Sequence, residues 1–195
     1  MIDGDPPGVV RYARAFSPRK PRMADPVVPD LLAAGLRLVF CGTAPSRASA
    51  AARSYYANPG NRFWRTLHEV GLTPTQFRPA DYADLLTLGV GLTDLCKHHF
   101  GNDDELPPDG LDPAALAVKV RLYRPAVLAF TSKTAARIAL GSAADYGLQP
   151  DAIGTTRVYV CCSTSGRARR FWRQGVWEDL KKLVDATEFP ASGGP

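Results

Sequence analysis

A chain of 195 residues, 45% of them hydrophobic and carrying a formal net charge of +5, suits a single domain with a sizeable core. Its cationic side chains gather at two places, Arg11 to Arg22 and Arg167 to Arg173, a placement that favours a polyanionic partner. No apolar run approaches the ~20 residues needed to cross a bilayer, and the basic N-terminus lacks an apolar h-region, so a cytoplasmic chain with no membrane contact is expected.

Residues 1–29 contain Pro6, Pro7, Pro18, Pro21, Pro26 and Pro29 with scattered charge and no period, which reads as a flexible basic arm. The end of the chain, 188–195, reads as an unpacked tail, leaving 30–187 as one α/β domain. Within it, "LRLVFCG" (36–42) is the first of four short apolar runs that fit strands covered on both faces. "NRFWRTLHEVG" follows as a helix, with Phe63, Trp64, Leu67 and Val70 on one face and Gly71 as its stop. "ADYADLLTLG" reads as a second helix ending at Gly89, before the strand "GVGLTDL" (89–95).

Further along, Asp112 caps and Pro113 opens the helix "DPAALAVKVRLY", whose Leu116, Val120 and Tyr123 share a face. The strand "AVLAFT" (126–131) leads into "SKTAARIALG", a helix capped by Ser132 and stopped by Gly141. The strand "RVYVCCST" (157–164) precedes a long helix from Arg167 to Ala186. Cys41, Cys96, Cys161 and Cys162 fall at or near strand ends without metal-ligand spacing and read as buried reduced thiols; no metal is expected.

Strands alternating with helices argue for a three-layer α/β/α sandwich around a mainly parallel sheet of four to five strands. Ligands of such folds bind at the carboxyl ends of the strands. The segments 42–49, 94–99, 131–134 and 163–170 therefore converge on one edge. "GTAPS" (42–46) lacks both the phosphate-loop and the dinucleotide fingerprints. In "STSGRARRFW" a small polar loop feeds a basic helix start, where free N–H groups and Arg167, Arg169 and Arg170 suit a phosphate. Asn61 stands in a helix-capping position. Asp94 is the sole carboxylate at any of the four strand ends. Its structural alternative is a cap or an ion pair with Lys97. His98 and His99, adjacent in a loop, read as solvated unless one acts as an acid or touches a phosphate. Thr43 and Ser46, with Thr131, Ser132 and Lys133, are further polar groups on the same edge.

The combination of "LRLVFCG-x-x-P-S", "ANPGNRFW" and a late "S-G-R" loop before a helix resembles the mismatch-specific uracil-DNA and thymine-DNA glycosylases, over roughly residues 30 to 185. The resemblance implies a uracil-DNA glycosylase fold, no cofactor, a monomer, and hydrolysis of the N-glycosidic bond of a base flipped out of DNA. Such a reaction needs a basic groove, a wedge and an aromatic floor. By resemblance, Tyr56 is the aromatic that stacks on the base, and Gly42, Thr43, Ala44 and Asn61 complete the base pocket. Ser46, Ser163, Ser165, Gly166, Arg167, Arg169 and Arg170 then belong to DNA binding, with Arg167 at the position that enters the duplex.

Two departures stand out. Ala44 replaces the asparagine that holds the attacking water in the family's "G-x-N-P" motif, and Ser163-Thr164-Ser165 replaces "N-P-S". A carboxylate at Asp94 would fill the gap, by opposing the cationic sugar of the transition state or by orienting water. Three readings follow. The first is a monofunctional glycosylase for uracil mismatched with guanine, with other altered bases and single strands left open. The second is a damaged-DNA binding module without catalysis, which Ala44 favours. The third is a Rossmann-like enzyme of free nucleosides or nucleotides, which the missing phosphate fingerprints disfavour.

Overall fold

The computed structural model describes residues 25–187. The residues of the basic arm up to 24 and the tail from 188 lie outside the described residues. The chain forms β1 (Leu38–Gly42), α1 (Arg47–Ala52), α2 (Phe63–Glu69), β2 (Val90–Asp94), α3 (Pro113–Tyr123), β3 (Val127–Phe130), α4 (Lys133–Leu140), β4 (Gly147–Leu148), β5 (Arg157–Val160) and α5 (Gln174–Asp185). The sheet order is β2-β1-β3-β5-β4. The first four of these strands are parallel, and the short β4 runs antiparallel along the edge of β5. This is the expected three-layer α/β architecture, with β4 as the strand that the apolar runs did not signal.

Alternation along each strand builds two cores. In β1, Leu38 and Phe40 face a core shared with Phe63, Leu67, Trp177 and Leu180 of α2 and α5. Val39 and Cys41 face the other, shared with Leu116, Val120, Ala135 and Ala136 of α3 and α4. Both faces are therefore dry, which is why the strands read as continuous apolar runs instead of alternating ones. All four cysteines are buried and free.

The caps expected from sequence are present. The Asp112 carboxylate accepts from the Ala115 N–H at 2.8 Å, and the Ser132 hydroxyl from the Ala135 N–H at 3.0 Å. Gly71 follows α2 with φ of +75°, the left-handed residue of a helix stop.

Three expectations are corrected. The segment Pro79–Leu88 is a 3₁₀ helix, and Leu85 is the one residue of it that is buried. Its Tyr82, Leu85 and Leu88 meet the core at intervals of three residues, the repeat of a 3₁₀ helix and not of an α-helix. The long helix from Arg167 is broken: Gly166–Phe171 is a six-residue 3₁₀ turn, Trp172 and Arg173 are extended, and α5 begins at Gln174. Two anchors pull the chain straight at the break. The Arg173 N–H donates to Cys162 Sγ at 3.3 Å, and the Trp172 ring stacks on Trp177 with the Arg62 guanidinium 4.2 Å from its centroid. Lastly, the final residues assigned to the arm pack into the domain. Val28 is fully buried, the Val27 N–H donates to the Lys97 carbonyl at 2.8 Å, and the Pro29 carbonyl accepts from Tyr55 at 3.1 Å.

Trp177 joins these parts, being fully buried with its indole N–H donating to the Cys162 carbonyl at 3.1 Å. Trp177→Ala is expected to lower unfolding free energy by about 3–5 kcal/mol in urea titrations, through cavity formation and an orphaned carbonyl.

Candidate active site

The sheet order places β1 between β2 and β3, so the chain leaves β1 toward the β2 edge and leaves β3 toward the opposite edge, formed by β5 and β4. Such a switch point opens a crevice at the carboxyl ends of the strands. A cavity of about 990 Å³ occupies it, lined by all of Gly42 to Ser46, by Asp94 and Thr131, and by the loop from Ser163 to Ser165.

At its floor, parallel register sets Gly42 opposite Asp94. A Cβ on residue 42 would lie 2.5 Å from Asp94 Oδ1, so the carboxylate occupies space that only glycine leaves. Asp94 is 5% exposed, lines the cavity, and its Oδ2 has no hydrogen-bond partner. Lys97 Nζ lies 3.9 Å from that oxygen, but its close partners are Asp30 Oδ1 at 2.8 Å and the Tyr55 hydroxyl at 3.0 Å. Asp94 thus presents Oδ1 beside Gly42 to the cleft, while Oδ2 sits in a loose, 3.9 Å ion pair with Lys97. Burial, opposed mainly by the charge of Lys97, pushes its carboxyl up to about 6.

Tyr56 forms the adjoining wall. Its φ of +52° is a left-handed conformation that is uncommon for a bulky side chain. One ring face stacks on Phe63 at 3.8 Å between centroids, and its hydroxyl shares a 3.2 Å hydrogen bond with Thr131 Oγ1. The half-buried ring still lines the cavity. Tyr55 also lines the cavity, its ring centroid 6.2 Å from that of Tyr56, and its hydroxyl accepts from Lys97 Nζ at 3.0 Å.

The two loops flanking the cleft are joined through their backbones. The Arg62 N–H donates to the Thr164 carbonyl at 2.9 Å, and a Cβ on Gly166 would come within 3.0 Å of the Gly60 carbonyl oxygen. Asn61 stands one residue ahead of the Arg62 cap position of α2, its Oδ1 accepting from the Phe63 N–H at 2.9 Å while the residue lines the cavity. Other hydroxyls are also committed locally. Ser46 caps α1 through the Ser49 N–H at 3.1 Å, Ser163 accepts from the Ser165 N–H at 3.2 Å, and Ser165 accepts from the Arg167 N–H at 3.3 Å. Ala44 lines the cavity with a methyl group.

The basic side is rearranged relative to expectation. Arg167 and Arg170 are exposed and line the mouth, whereas Arg169 is exposed away from it. Because Gly166–Phe171 is a short 3₁₀ turn, the long helix start expected to receive a phosphate is absent there. Lys133 is held by Asp145 and lies 4.0 Å from the Tyr146 ring centroid, and Ser132 is spent as the α4 cap. His98 and His99 are exposed and lie outside the cavity lining.

Sequence reasoning missed Arg137, Arg173, Tyr146 and Phe171, all of which line the cavity, and Asp103 and Asp104, two further carboxylates of its lining. The Thr43 and Thr134 hydroxyls hold the Asp103 carboxyl down against the upward push of desolvation, which prevails. The break after Phe171 is what brings Arg173 to the cavity, and no local motif announces it.

Residues 29–181 match the model of the Uracil DNA glycosylase superfamily. The chain belongs to this superfamily. In fold it is similar to a candidate uracil DNA glycosylase from Methanosarcina acetivorans, solved by solution NMR, with a TM-score of 0.55 and 23% identity over 81% of this chain and 96% of that one. The match is to the superfamily as a whole, which supplies DNA as the substrate polymer and base release as the reaction class. Within that frame, the cavity at the strand ends carries Asp94 as its buried carboxylate.

The raised ionisation of Asp94 has a consequence for stability. With a folded value of about 6 against 3.8 ordinarily, the native state holds the extra proton between those values, so stability falls as pH rises through that window. Asp94→Asn removes the buried charge. Its stability relative to the parent is expected to rise by roughly 2–3 kcal/mol between about pH 4 and about pH 7.5, read from urea midpoints at both values.

Proposed function

We propose that the protein is a monofunctional DNA glycosylase that hydrolyses the N-glycosidic bond of uracil, mismatched with guanine, after flipping the nucleotide into the cavity beside Tyr56. The reading assigns it to the mismatch-specific branch, with Asp94 acting where relatives use an asparagine. The observation that carries it is the Asp94 carboxylate, buried at the cavity floor with one oxygen unpartnered.

In this reading the free face of the Tyr56 ring receives the flipped base, and Thr131 and Phe63 hold that ring in place. As the bond to the base lengthens, the sugar gains oxocarbenium character and the base departs with the bonding electron pair. The Asp94 carboxylate opposes the sugar's positive charge across a water-poor floor, where it is screened less than in solvent. Its Oδ1, beside Gly42 on the cleft side, accepts a hydrogen bond from the attacking water and takes its proton as the new C–O bond forms. Arg167 fills the gap in the duplex, and Arg170, Arg173 and Arg137 meet phosphates along the rim. Lys133, the lysine that lines the cavity, is engaged by Asp145, which supports hydrolysis by water over attack by an amine.

A second reading, a lesion-binding module without catalysis, is favoured by Ala44, whose methyl holds no water. One assay separates them: single-turnover release of uracil from a U·G duplex, read as alkali-sensitive strand breaks. The parent protein is expected to cleave, and Asp94→Asn to lose about 10²–10⁴-fold in rate. Retained lesion binding with no cleavage by the parent would support the module.

Because the ionised carboxylate is the active form, the parent's rate is expected to climb with pH and level off above about 6, following the Asp94 ionisation. A flat profile through that range would remove Asp94 from the chemistry. Arg167→Ala is expected to weaken cleavage of duplex more than of single-stranded uracil DNA, since only a duplex leaves a void to fill.

A further inference from the structure

Behind Asp94, on the side away from the cleft, lies a chain of buried and half-buried charges that the sequence motifs do not include. Lys97 is the link: its side chain is 11% exposed, it does not line the cavity, and its Nζ reaches Asp30 Oδ1 at 2.8 Å, the Tyr55 hydroxyl at 3.0 Å and Asp94 Oδ2 at 3.9 Å. Asp30 is itself fixed by Lys119 Nζ at 2.6 Å and by the Thr93 hydroxyl at 2.7 Å. The backbone around Lys97 is equally constrained. Its carbonyl accepts from Val27, and the two preceding N–H groups, of Leu95 and Cys96, donate to the carbonyls of Gly42 and Thr43.

We propose that Lys97, clamped between Asp30 and Tyr55, is a positioning residue that keeps the Asp94 carboxylate charged and free to face the reacting sugar. The proposal rests on the reading of Asp94 as the acting group. The distance is what matters: at 3.9 Å the ammonium attracts the carboxylate from behind, through the buried Oδ2, without donating a hydrogen bond to it, and Oδ1 is left on the Gly42 side facing the cleft. A lysine without Asp30 and Tyr55 would close that gap and neutralise the group outright. Asp30 thus restrains the cation, and its own negative charge sets a limit on how far Lys97 can favour the ionised form.

The charged and titratable groups around Asp94 come from every neighbouring element. They are Cys41 on β1, Tyr55 and Tyr56 on the open segment after α1, Asp30 at the start of the domain, Lys97 after β2 and Lys119 on α3. Burial pushes the Cys41 thiol and both phenols up, so they stay neutral and contribute no charge. What remains is one anion, Asp30, and two cations, Lys97 and Lys119, whose effects on Asp94 have opposite signs.

Those signs are the test. The full chain carrying ¹³C-labelled aspartate is titrated by NMR, following the Asp94 carboxyl, and single-turnover uracil release is measured over the same pH range. Lys97→Met is expected to raise both midpoints by about one unit or more, the effect of losing an opposite charge within about 4–6 Å. Asp30→Asn is expected to lower them, and Lys119→Met to raise them by less than Lys97→Met. Lys97→Arg, which restores the charge, is expected to return the midpoint toward the parent value. Thermal melts identify any variant that fails to fold, and the sign reversal at Asp30 then carries the test by itself, because loss of packing would not reverse direction. An Asp94 resonance unmoved by Lys97→Met, or moved upward by Asp30→Asn, would overturn the proposal. If instead the resonance moves as expected while Asp94→Asn keeps full cleavage, the reading of Asp94 as the acting group falls and the charge relation stands.

Discussion

A carboxylate held out of water at the junction of β1 and β2 is the constraint around which the site is arranged. Desolvation penalises the ionised form, and an isolated buried anion would simply take up a proton. Here the burial is complete enough to raise Asp94 to about 6, yet Lys97 keeps it from rising further. The arrangement requires a missing side chain as much as a present one, since any Cβ at Gly42 would collide with Asp94 Oδ1. Parallel register makes that demand unavoidable by setting the two residues side by side.

The rest of the cleft follows from how the loops are tied to this floor. Leu95 and Cys96 bond back to the first loop, so the turn after β2 and the "GTAPS" segment form one backbone unit. The "ANPGN" loop and the "STSGR" loop form another, through the Arg62–Thr164 hydrogen bond and the close approach of Gly166 to Gly60. Tyr56, in a left-handed backbone conformation just ahead of the second unit, reaches Thr131 after β3, whose N–H is bonded to the Cys41 carbonyl on β1. A left-handed tyrosine costs on the order of 1–3 kcal/mol, and stacking on Phe63 together with the hydroxyl bond to Thr131 holds it there. Strain concentrated on a cavity wall is where a rigid aromatic surface would be needed.

Much of this was legible in the sequence, and the reasons differ by element. The four principal strands showed themselves because both faces are buried, which removes polar residues from the run. Asp112 and Ser132 announced their helices because capping chemistry is local. Asp94 was found by elimination, as the one carboxylate at a strand end, an argument that needs only topology. The break before α5 was hidden because it depends on Cys162 Sγ and on the docking of Trp172, both set by tertiary packing. Val28 was assigned to the arm because proline density is a local signal, whereas its burial comes from the turn after β2, far along the chain. Asp103 and Arg173 entered the cavity from irregular segments, and periodicity says nothing about those. Lys97 appeared in sequence only as a rival explanation for Asp94, a partner that would neutralise it; the 3.9 Å gap is what lets it be proposed as a support instead.

The exchange of an asparagine for a carboxylate, on the reading proposed here, has a physical logic. An amide positions water at any pH, but it brings no charge to a reaction whose transition state is cationic at the sugar. A carboxylate brings that charge and can accept the proton, at the expense of dependence on its own ionisation. On the reading proposed here, the methyl of Ala44 leaves room on one side of the floor while Asp94 acts from the next strand. The group that orients water and the group that stabilises the sugar are then one. Such a merger is feasible only where the anion can be kept charged without being consumed by an ion pair. The triad of Asp30, Lys97 and Asp94 meets that condition by spending the lysine's close contacts on Asp30 and Tyr55. On that reading, a lysine shared between two carboxylates, tight to one and loose to the other, leaves the loose one as the reactive group.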